Sequence, residues 1–342
     1  MKVIVDAYGG DYAPLEPIKG AVQARAEYGF DIILTGKEEE IRRIAAENQL
    51  SLDGIEIVHA DDVISMNDNP KSILREHKDC SMAVGLRLLA EGRGDAFVTA
   101  GSTGALVMGG TFLVKRIKGI SHAALAAIIP SAKGPFMLLD SGANLECRPE
   151  MLYQFARMGT VYMSKMMKNG KAATVGLLNV GTEEHKGGDL QHETYAMLKN
   201  SDMAFVGNVE ARDMPGGVAD VVITDGFAGN VLLKGMEGTI GVLMGYIKEL
   251  FHTNLLTKLA GLIVKPYIGN LKKKFSTSEH GGAPLLGVAR PIIKAHGNSK
   301  ALAIKNAVRV AAEFSRTGVI DLITESVKED GDGTAPAPTT AE

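Results

Sequence analysis

The sequence predicts an α/β protein: a Rossmann-like, mostly parallel sheet with helices on both faces, plus a helical amphipathic insert. Three observations predict it. Short β-branched runs recur along the 342 residues, each followed by a turn and a helix-like stretch. Glycine is abundant, at 40 residues, and gathers just after those runs, where tight strand-to-helix turns need it. Aromatic residues make up only 5% of the chain, so the core must come from Val, Ile, Leu, Ala and Met.

The elements follow in order. A strand at 3–6 leads through Gly9 and Gly10 to a helix at 15–27, and a strand at 31–35 through Gly36 to a charged helix at 38–48. A strand at 55–59 precedes a helical stretch at about 71–90, and a strand at 95–100 runs into Gly101 and an apolar helix at 105–116. Residues 124–129 and 136–140 read as strands, and 149–167 as a helix with Pro149 in its first turn. A strand at 174–180, a helix at 188–200, strands at 204–209 and 219–224 and a long helix at 230–251 continue the alternation. A final helix at 300–316 closes it. Residues 1–328 are read as a single domain with an irregular insert at about 251–278, in which Pro266 should end or kink any helix. The acidic tail, 329–342, is rich in Gly, Pro, Thr and Ala and is expected to be disordered.

Bulk properties remove several classes. A net charge of −3 argues against a general nucleic-acid binder. Cys80 and Cys147 form neither a disulfide framework nor a zinc signature, which suits a reducing, cytoplasmic setting. Asp6 interrupts the N-terminal apolar run before it can resemble a secretory leader, and no apolar run is long enough to span a bilayer. No cluster has metal-ligand spacing, so neither metal nor cofactor is expected.

In open α/β sheets, ligands sit beyond the carboxyl ends of strands. The polar residues there lie at 6–11, 101–104, 140–144, 179–186, 208–213 and 225–230, all candidates to converge on one rim. Gly101-Ser102-Thr103-Gly104 places two hydroxyls where a helix begins, a pattern that suits an anion as well as a plain helix cap. It is neither a Walker loop nor a dinucleotide fingerprint, which counts against a nicotinamide-dependent dehydrogenase. Asp140 and Asn144 can both face a crevice, or simply shape a turn around Gly142. Asn179 opens a loop in which Lys186 can neutralise a phosphate and His185 can donate to it or move a proton. Asn208 belongs to the next strand end. Asp225 and Asn230 flank a glycine turn that opens the long helix, and His296-Gly297-Asn298-Ser299 repeats that style before the last helix. No Gly-x-Ser-x-Gly elbow occurs, so an acyl transfer here would need its acceptor to attack directly.

These loops carry a resemblance. Asp6-Ala7-Tyr8-Gly9-Gly10-Asp11, Ala100-Gly101-Ser102-Thr103-Gly104, Leu139-Asp140-Ser141-Gly142-Ala143-Asn144 and Gly176-Leu177-Leu178-Asn179-Val180-Gly181 resemble, in order, motifs of bacterial acyl-ACP:phosphate acyltransferases. Gly207-Asn208-Val209-Glu210, Asp225-Gly226-Phe227-Ala228-Gly229-Asn230 and Gly281-Gly282-Ala283-Pro284-Leu285-Leu286-Gly287 continue the series. Tyr8 and Tyr12 stand where that family usually has Met and His. The resemblance implies a homodimer related to phosphotransacetylases. It implies transfer of a long-chain acyl group from acyl carrier protein to inorganic phosphate. The acyl phosphate would then feed a membrane glycerol-phosphate acyltransferase of phospholipid synthesis. The relation to phosphotransacetylases points to 225–230 and 296–299 as active-site segments. The expected phosphate-holding residues are thus Gly101, Ser102, Thr103, Asn144, Asn179, Asn208, Asp225, Asn230 and Ser299, with His185, Lys186 and His296 as catalytic candidates.

The insert has its own pattern. Leu255, Leu259 and Leu262 recur at helical spacing, with Lys265, Lys272, Lys273 and Lys274 nearby. Such a segment can lie on an anionic membrane, dock the acidic carrier protein, or pack at a dimer interface. The membrane reading makes the protein cytoplasmic and peripherally membrane-associated. Two other functions remain open: a phosphotransacetylase acting on short acyl-CoA, and a non-catalytic scaffold that recruits membrane enzymes.

Overall fold

The computed structural model describes residues 1–167, 170–275 and 281–329. Its strands are β1 (Lys2–Asp6), β2 (Asp31–Gly36), β3 (Ile55–His59), β4 (Ala96–Thr99), β5 (Ala124–Ile129), β6 (Phe136–Leu139), β7 (Thr174–Asn179), β8 (Ala204–Glu210), β9 (Val221–Ile223), β10 (Ala283–Leu286) and β11 (Ile292–Lys294). The helices are α1 (Leu15–Tyr28), α2 (Glu38–Glu47), α3 (Ser81–Ala90), α4 (Thr103–Gly109), α5 (Pro149–Met166), α6 (Asp189–Lys199), α7 (Gly226–Leu250), α8 (Leu255–Phe275), α9 (Ala301–Arg316) and α10 (Val319–Glu329). The expected α/β class is observed.

The strands form one sheet in the order β3-β2-β1-β4-β11-β10-β5-β6-β9-β7-β8. The first five are mutually parallel, as are the last four. Between them, the β11/β10, β10/β5 and β5/β6 pairings are antiparallel. Three reversals are an odd number, so the two parallel blocks run in opposite senses. Their carboxyl ends therefore point to opposite edges of the sheet, and the strand-end loops do not share a single rim.

Alternation along the buried strands sorts side chains between the layers. Val3 and Val5 pack with Ile18 and Ala21 of α1 and Ile304 and Ala307 of α9. Ile4 points the other way, into a cluster with Met82, Ala83 and Leu86 of α3 and Leu106 of α4. Beyond the seam, Ala127, Ile129 and Leu138 meet Leu233 and Met236 of α7.

Several local expectations change. The stretch at 71–90 is broken into a 3₁₀ turn, Pro70–Leu74, and α3. Asn69 and Pro70 start the turn, and the 2.6 Å contact of His77 Nδ1 with Asp62 draws the intervening chain off a helical path. The apolar helix after Gly101 passes into a π-helical turn, Gly110–Val114. The sequence pattern does not predict β10, β11 or α10. β10 carries Pro284, and both strands are shorter than a periodicity can reveal. In the insert, α8 continues through Pro266 instead of ending there. Residues 276–278 of the insert and 330–342 of the tail lie outside the described residues.

At Gly20, α1 lies close against α9: a Cβ there would lie 2.5 Å from Ile304 Cβ. Gly20→Val is expected to cost about 1–3 kcal/mol by overpacking, read as a lower thermal unfolding midpoint. An unchanged midpoint would show that the two helices part freely.

Candidate active site

A cleft of about 450 Å³ is lined by residues of both blocks. Its lining is chemically divided. Leu125, Ala127 and Ile129 of β5, with Leu233, Met236 and Ile240 of α7, supply apolar surface. Asp11, Thr103, Lys294, His296, Asn298 and Ser299 supply polar groups at or beyond the ends of β1, β4 and β11. Ser141 and Asn230 add to these from the second block.

Asp140 shapes the second block's side of the cleft. It is fully buried, and its carboxylate accepts backbone N–H groups from Leu125 (3.1 Å), Gly142 (3.0 Å), Ala143 (3.0 Å) and Asn144 (2.7 Å). The Asn144 side-chain amide donates to it as well, at 2.9 Å. Burial pushes the Asp140 carboxyl above the usual carboxylate range, while these donors pull against that shift. The curled loop then seats the start of α7. Asn144 O accepts the Gly226 N–H at 2.7 Å, and Ser141 O accepts the Asn230 side-chain amide at 3.0 Å. A Cβ on Gly229 would collide with the Asp140 carbonyl, so glycine is what allows the helix to begin so close.

The first block is braced by Asp6, which is also buried. It accepts the Thr99 hydroxyl at 2.7 Å and the Tyr8 N–H at 3.1 Å, and Thr99 Oγ1 in turn accepts the Gly101 N–H at 2.9 Å. Burial raises the Asp6 carboxyl, opposed by its hydrogen bonds to Ser81 and Thr99. The Asp11 N–H donates to Gly297 O at 2.8 Å, which ties the loop after β1 to the loop after β11.

The expected site residues fall into three groups. Thr103, Asn230, His296 and Ser299 line the cleft. His296 Nε2 lies 3.9 Å from the Glu237 carboxylate of α7. Gly101, Ser102, Asn144 and Asp225 lie behind this lining, in the framework. Ser102 caps α4 by accepting the Ala105 N–H at 3.4 Å, Asp225 caps α7 by accepting the Ala228 N–H at 2.8 Å, and Asn144 also donates to Ala123 O at 2.8 Å. Asn179, His185, Lys186 and Asn208 gather apart, at the carboxyl ends of β7 and β8 and in the loop after β7. There the Asn179 amide donates to Lys186 O at 2.9 Å and the Asn208 amide to Glu183 O at 2.8 Å. None of these four lines the cleft of a single chain.

Lys294 is the residue that sequence reasoning passed over. It ends β11, it is 7% exposed, and it lines the cleft. Burial pushes its ammonium down to about 8, with Asp11 and Asp6 pulling it back up. A lysine closing the apolar run Ile292-Ile293, just before His296-Gly297, was the available signal.

Away from the cleft, α7 and α8 carry much exposed apolar surface. Val242, Leu243, Tyr246 and Leu250 of α7 and Leu255, Leu256, Leu259, Leu262, Ile263 and Tyr267 of α8 are all exposed, and so is Lys265. Lys272, Lys273 and Lys274 fall on the last turns of α8. Among the described residues no helix is long and apolar enough to cross a membrane.

Two solved structures share this architecture. The EutD phosphotransacetylase from Staphylococcus aureus has a TM-score of 0.58 at 15% identity, covering 92% of this chain and 94% of its own. A branched-chain phosphotransacylase from Enterococcus faecalis V583 has a TM-score of 0.59 at 15% identity, covering 93% and 100%. The fold is thus of the phosphotransacetylase type. At sequence level, the model of the family described as fatty acid synthesis protein matches residues 1–322. A phosphate acyltransferase from Thermoanaerobacterium thermosaccharolyticum is 44% identical over 337 residues, 98% of this chain and 100% of the relative. Another, from Alkaliphilus oremlandii, is 45% identical over 334 residues, 97% and 99% of the two chains. The chain belongs to this family of phosphate acyltransferases, and it is an enzyme of acyl transfer to phosphate.

Asp140→Ala would strand several buried N–H groups at about 1–3 kcal/mol each. It is expected to lower the denaturant midpoint sharply and to abolish acyl transfer. A variant with wild-type stability would show that the loop holds itself.

Proposed function

We propose that the acyl donor is a long-chain acyl thioester of acyl carrier protein, and that the acyl phosphate product serves phospholipid synthesis through a membrane glycerol-phosphate acyltransferase. The divided lining of the cleft carries this reading. A broad apolar wall from β5 and α7 suits a long acyl chain, and the facing polar groups suit phosphate. Phosphate attacks the thioester carbonyl directly: a C–O bond forms, the C–S bond breaks, and the sulfur leaves with its electron pair. Neither cysteine lines the cleft. Burial pushes the Cys80 thiol up to about 11 and the Cys147 thiol up to about 12, so both stay protonated and poorly nucleophilic at neutral pH. Thr103, Asn230 and Ser299 hold phosphate in this proposal. His296, the one catalytic candidate on the cleft, orients it or protonates the departing thiolate.

The α7–α8 surface supports the rest of the proposal. Its exposed Leu and Ile side chains beside Lys265 suit a membrane surface, which makes the protein cytoplasmic and peripherally attached, and a homodimer is proposed with it. A phosphotransacetylase acting on short acyl-CoA is favoured by the fold alone, since a short acyl group leaves most of the apolar wall uncovered. Palmitoyl-ACP is expected to be used at least about tenfold more efficiently than acetyl-CoA, since several buried methylenes at about 0.8 kcal/mol each favour it. Equal use of the two donors would return the assignment to the short-chain reading. The Leu255→Glu/Leu259→Glu double variant is expected to lose flotation with anionic liposomes while keeping transfer activity in solution. Flotation equal to wild type would remove α8 from the membrane.

A further inference from the structure

We infer that Lys294 is the cation on which the phosphate acceptor rests, a substrate-contacting residue that the strand-end motifs do not include. This deepens the proposed function and rests on it.

The helix N-termini around the cleft are partly occupied by the chain's own oxygens. Ser102 caps α4, and Asp225 and Asn144 O occupy the first turn of α7. Glu16 of α1 accepts the Ala301 N–H at 2.7 Å and occupies the start of α9. Each of these turns thus spends part of its N–H groups within the chain, and Thr103, Asn230 and Ser299 offer phosphate only neutral donors, so the balancing charge has to come from a side chain.

A second support is the state of Lys294 itself. An ammonium has three donors. Lys294 Nζ gives one to Ala100 O at 3.3 Å and one to Ala295 O at 2.5 Å, both neutral carbonyls. Asp6 already accepts from Thr99 and Tyr8 and acts on the lysine only through space, as Asp11 does. A buried ammonium without a contacting counter-ion is costly, and an anionic ligand at its remaining donor relieves that cost. Lys294 lines the cleft, so that ligand is one the cleft admits.

The other ionisable groups around it are few. Asp6 and Asp11 approach from β1 and its loop, His296 from the loop that follows, and Lys234 and Glu237 across the cleft from α7. β4 and β10, which flank β11 in the sheet, contain no ionisable side chain, and none is buried on α9. Lys234 is exposed and stays solvated, so its pull on an anion is screened. In the transfer step Lys294 stays protonated and holds the non-attacking phosphate oxygens. The attacking oxygen bonds to the carbonyl carbon, and the proton for the thiolate comes from solvent or His296.

The sign of the pH effect follows from burial. Lys294 is charged below about 8 and neutral above it, so phosphate binding weakens as pH rises through that value. The test uses the full chain, inorganic phosphate and palmitoyl-ACP. Lys294→Met is expected to raise the KM for phosphate by about tenfold or more, the worth of one charge-assisted hydrogen bond, with the KM for the acyl donor little changed. Lys294→Arg should recover part of the loss. The wild-type KM for phosphate should climb through about pH 8, and the Lys294→Met profile should not. Asp11→Asn should move that climb to lower pH. A folded Lys294→Met enzyme with a wild-type KM for phosphate overturns the assignment and leaves the proposed reaction intact. If Lys294→Met does not fold, a wild-type phosphate KM that stays flat across this pH range overturns it instead. If wild type makes no acyl phosphate from any thioester, the reaction falls. Calorimetric binding of phosphate that needs Lys294 would then still uphold the site.

Discussion

The Asp140 carboxylate is the constraint on which the second half of the molecule depends. It sits where β6 ends beside the start of β5, and it gathers N–H groups from both. Each would cost about 1–3 kcal/mol if buried without a partner. By collecting them on one side chain, the loop at 140–144 can turn its own carbonyls outward, toward α7. That matters because only Gly226 and Gly229 of α7 are buried, and Leu233 and Met236 pack half-buried on β5 and β6 just beyond them. The helix is held at its first turn, and the position of Asn230, Leu233 and Met236 in the cleft follows from that hold.

The reversal of the sheet makes the cleft. Had the two blocks run in the same sense, their strand ends would have formed one polar rim. Instead the antiparallel seam of β10 and β5 places polar ends of the first block opposite the apolar face of β5 and α7. A site of mixed character results from topology, with no specialised motif. It suits a reaction whose one partner is an inorganic anion and whose other is a hydrocarbon chain.

The sequence made the two parallel blocks legible because each βα unit carries its own signal: an apolar run, a glycine, then helical spacing. It hid whatever depends on distant pairing. β10 and β11 are four and three residues long and take their identity from neighbours far away in the chain. The sense of the second block cannot be read from any local pattern, so of the loops that look alike, those after β1, β4, β6, β9 and β11 meet at the cleft and those at the ends of β7 and β8 lie apart. Residues such as Ser102 and Asp225 look like ligand groups in sequence, and in the fold they spend their oxygens on helix caps. Lys294 was the converse. It closes an apolar run outside the glycine loops, and burial beside the cleft sets it apart from a surface lysine.

α7 leads from the cleft toward the exposed helix α8. Its 25 residues extend about 37 Å at 1.5 Å per residue. Ile240 still lines the cleft, and Val242, Leu243 and Tyr246 on the next turn are exposed, so apolar surface is continuous from one to the other. Four glycines in this stretch, Gly235, Gly238, Gly241 and Gly245, face open space and each costs about 1 kcal/mol relative to alanine in a helix interior. Intrinsic propensity is therefore a poor reason for α7 to persist over its full length. The proposed membrane contact would supply a better one, because a burial term of about 25 cal/mol per Å² over several large side chains outweighs the glycine penalty. In the proposed function, a membrane seated on this face would also steady the helix that forms one wall of the cleft.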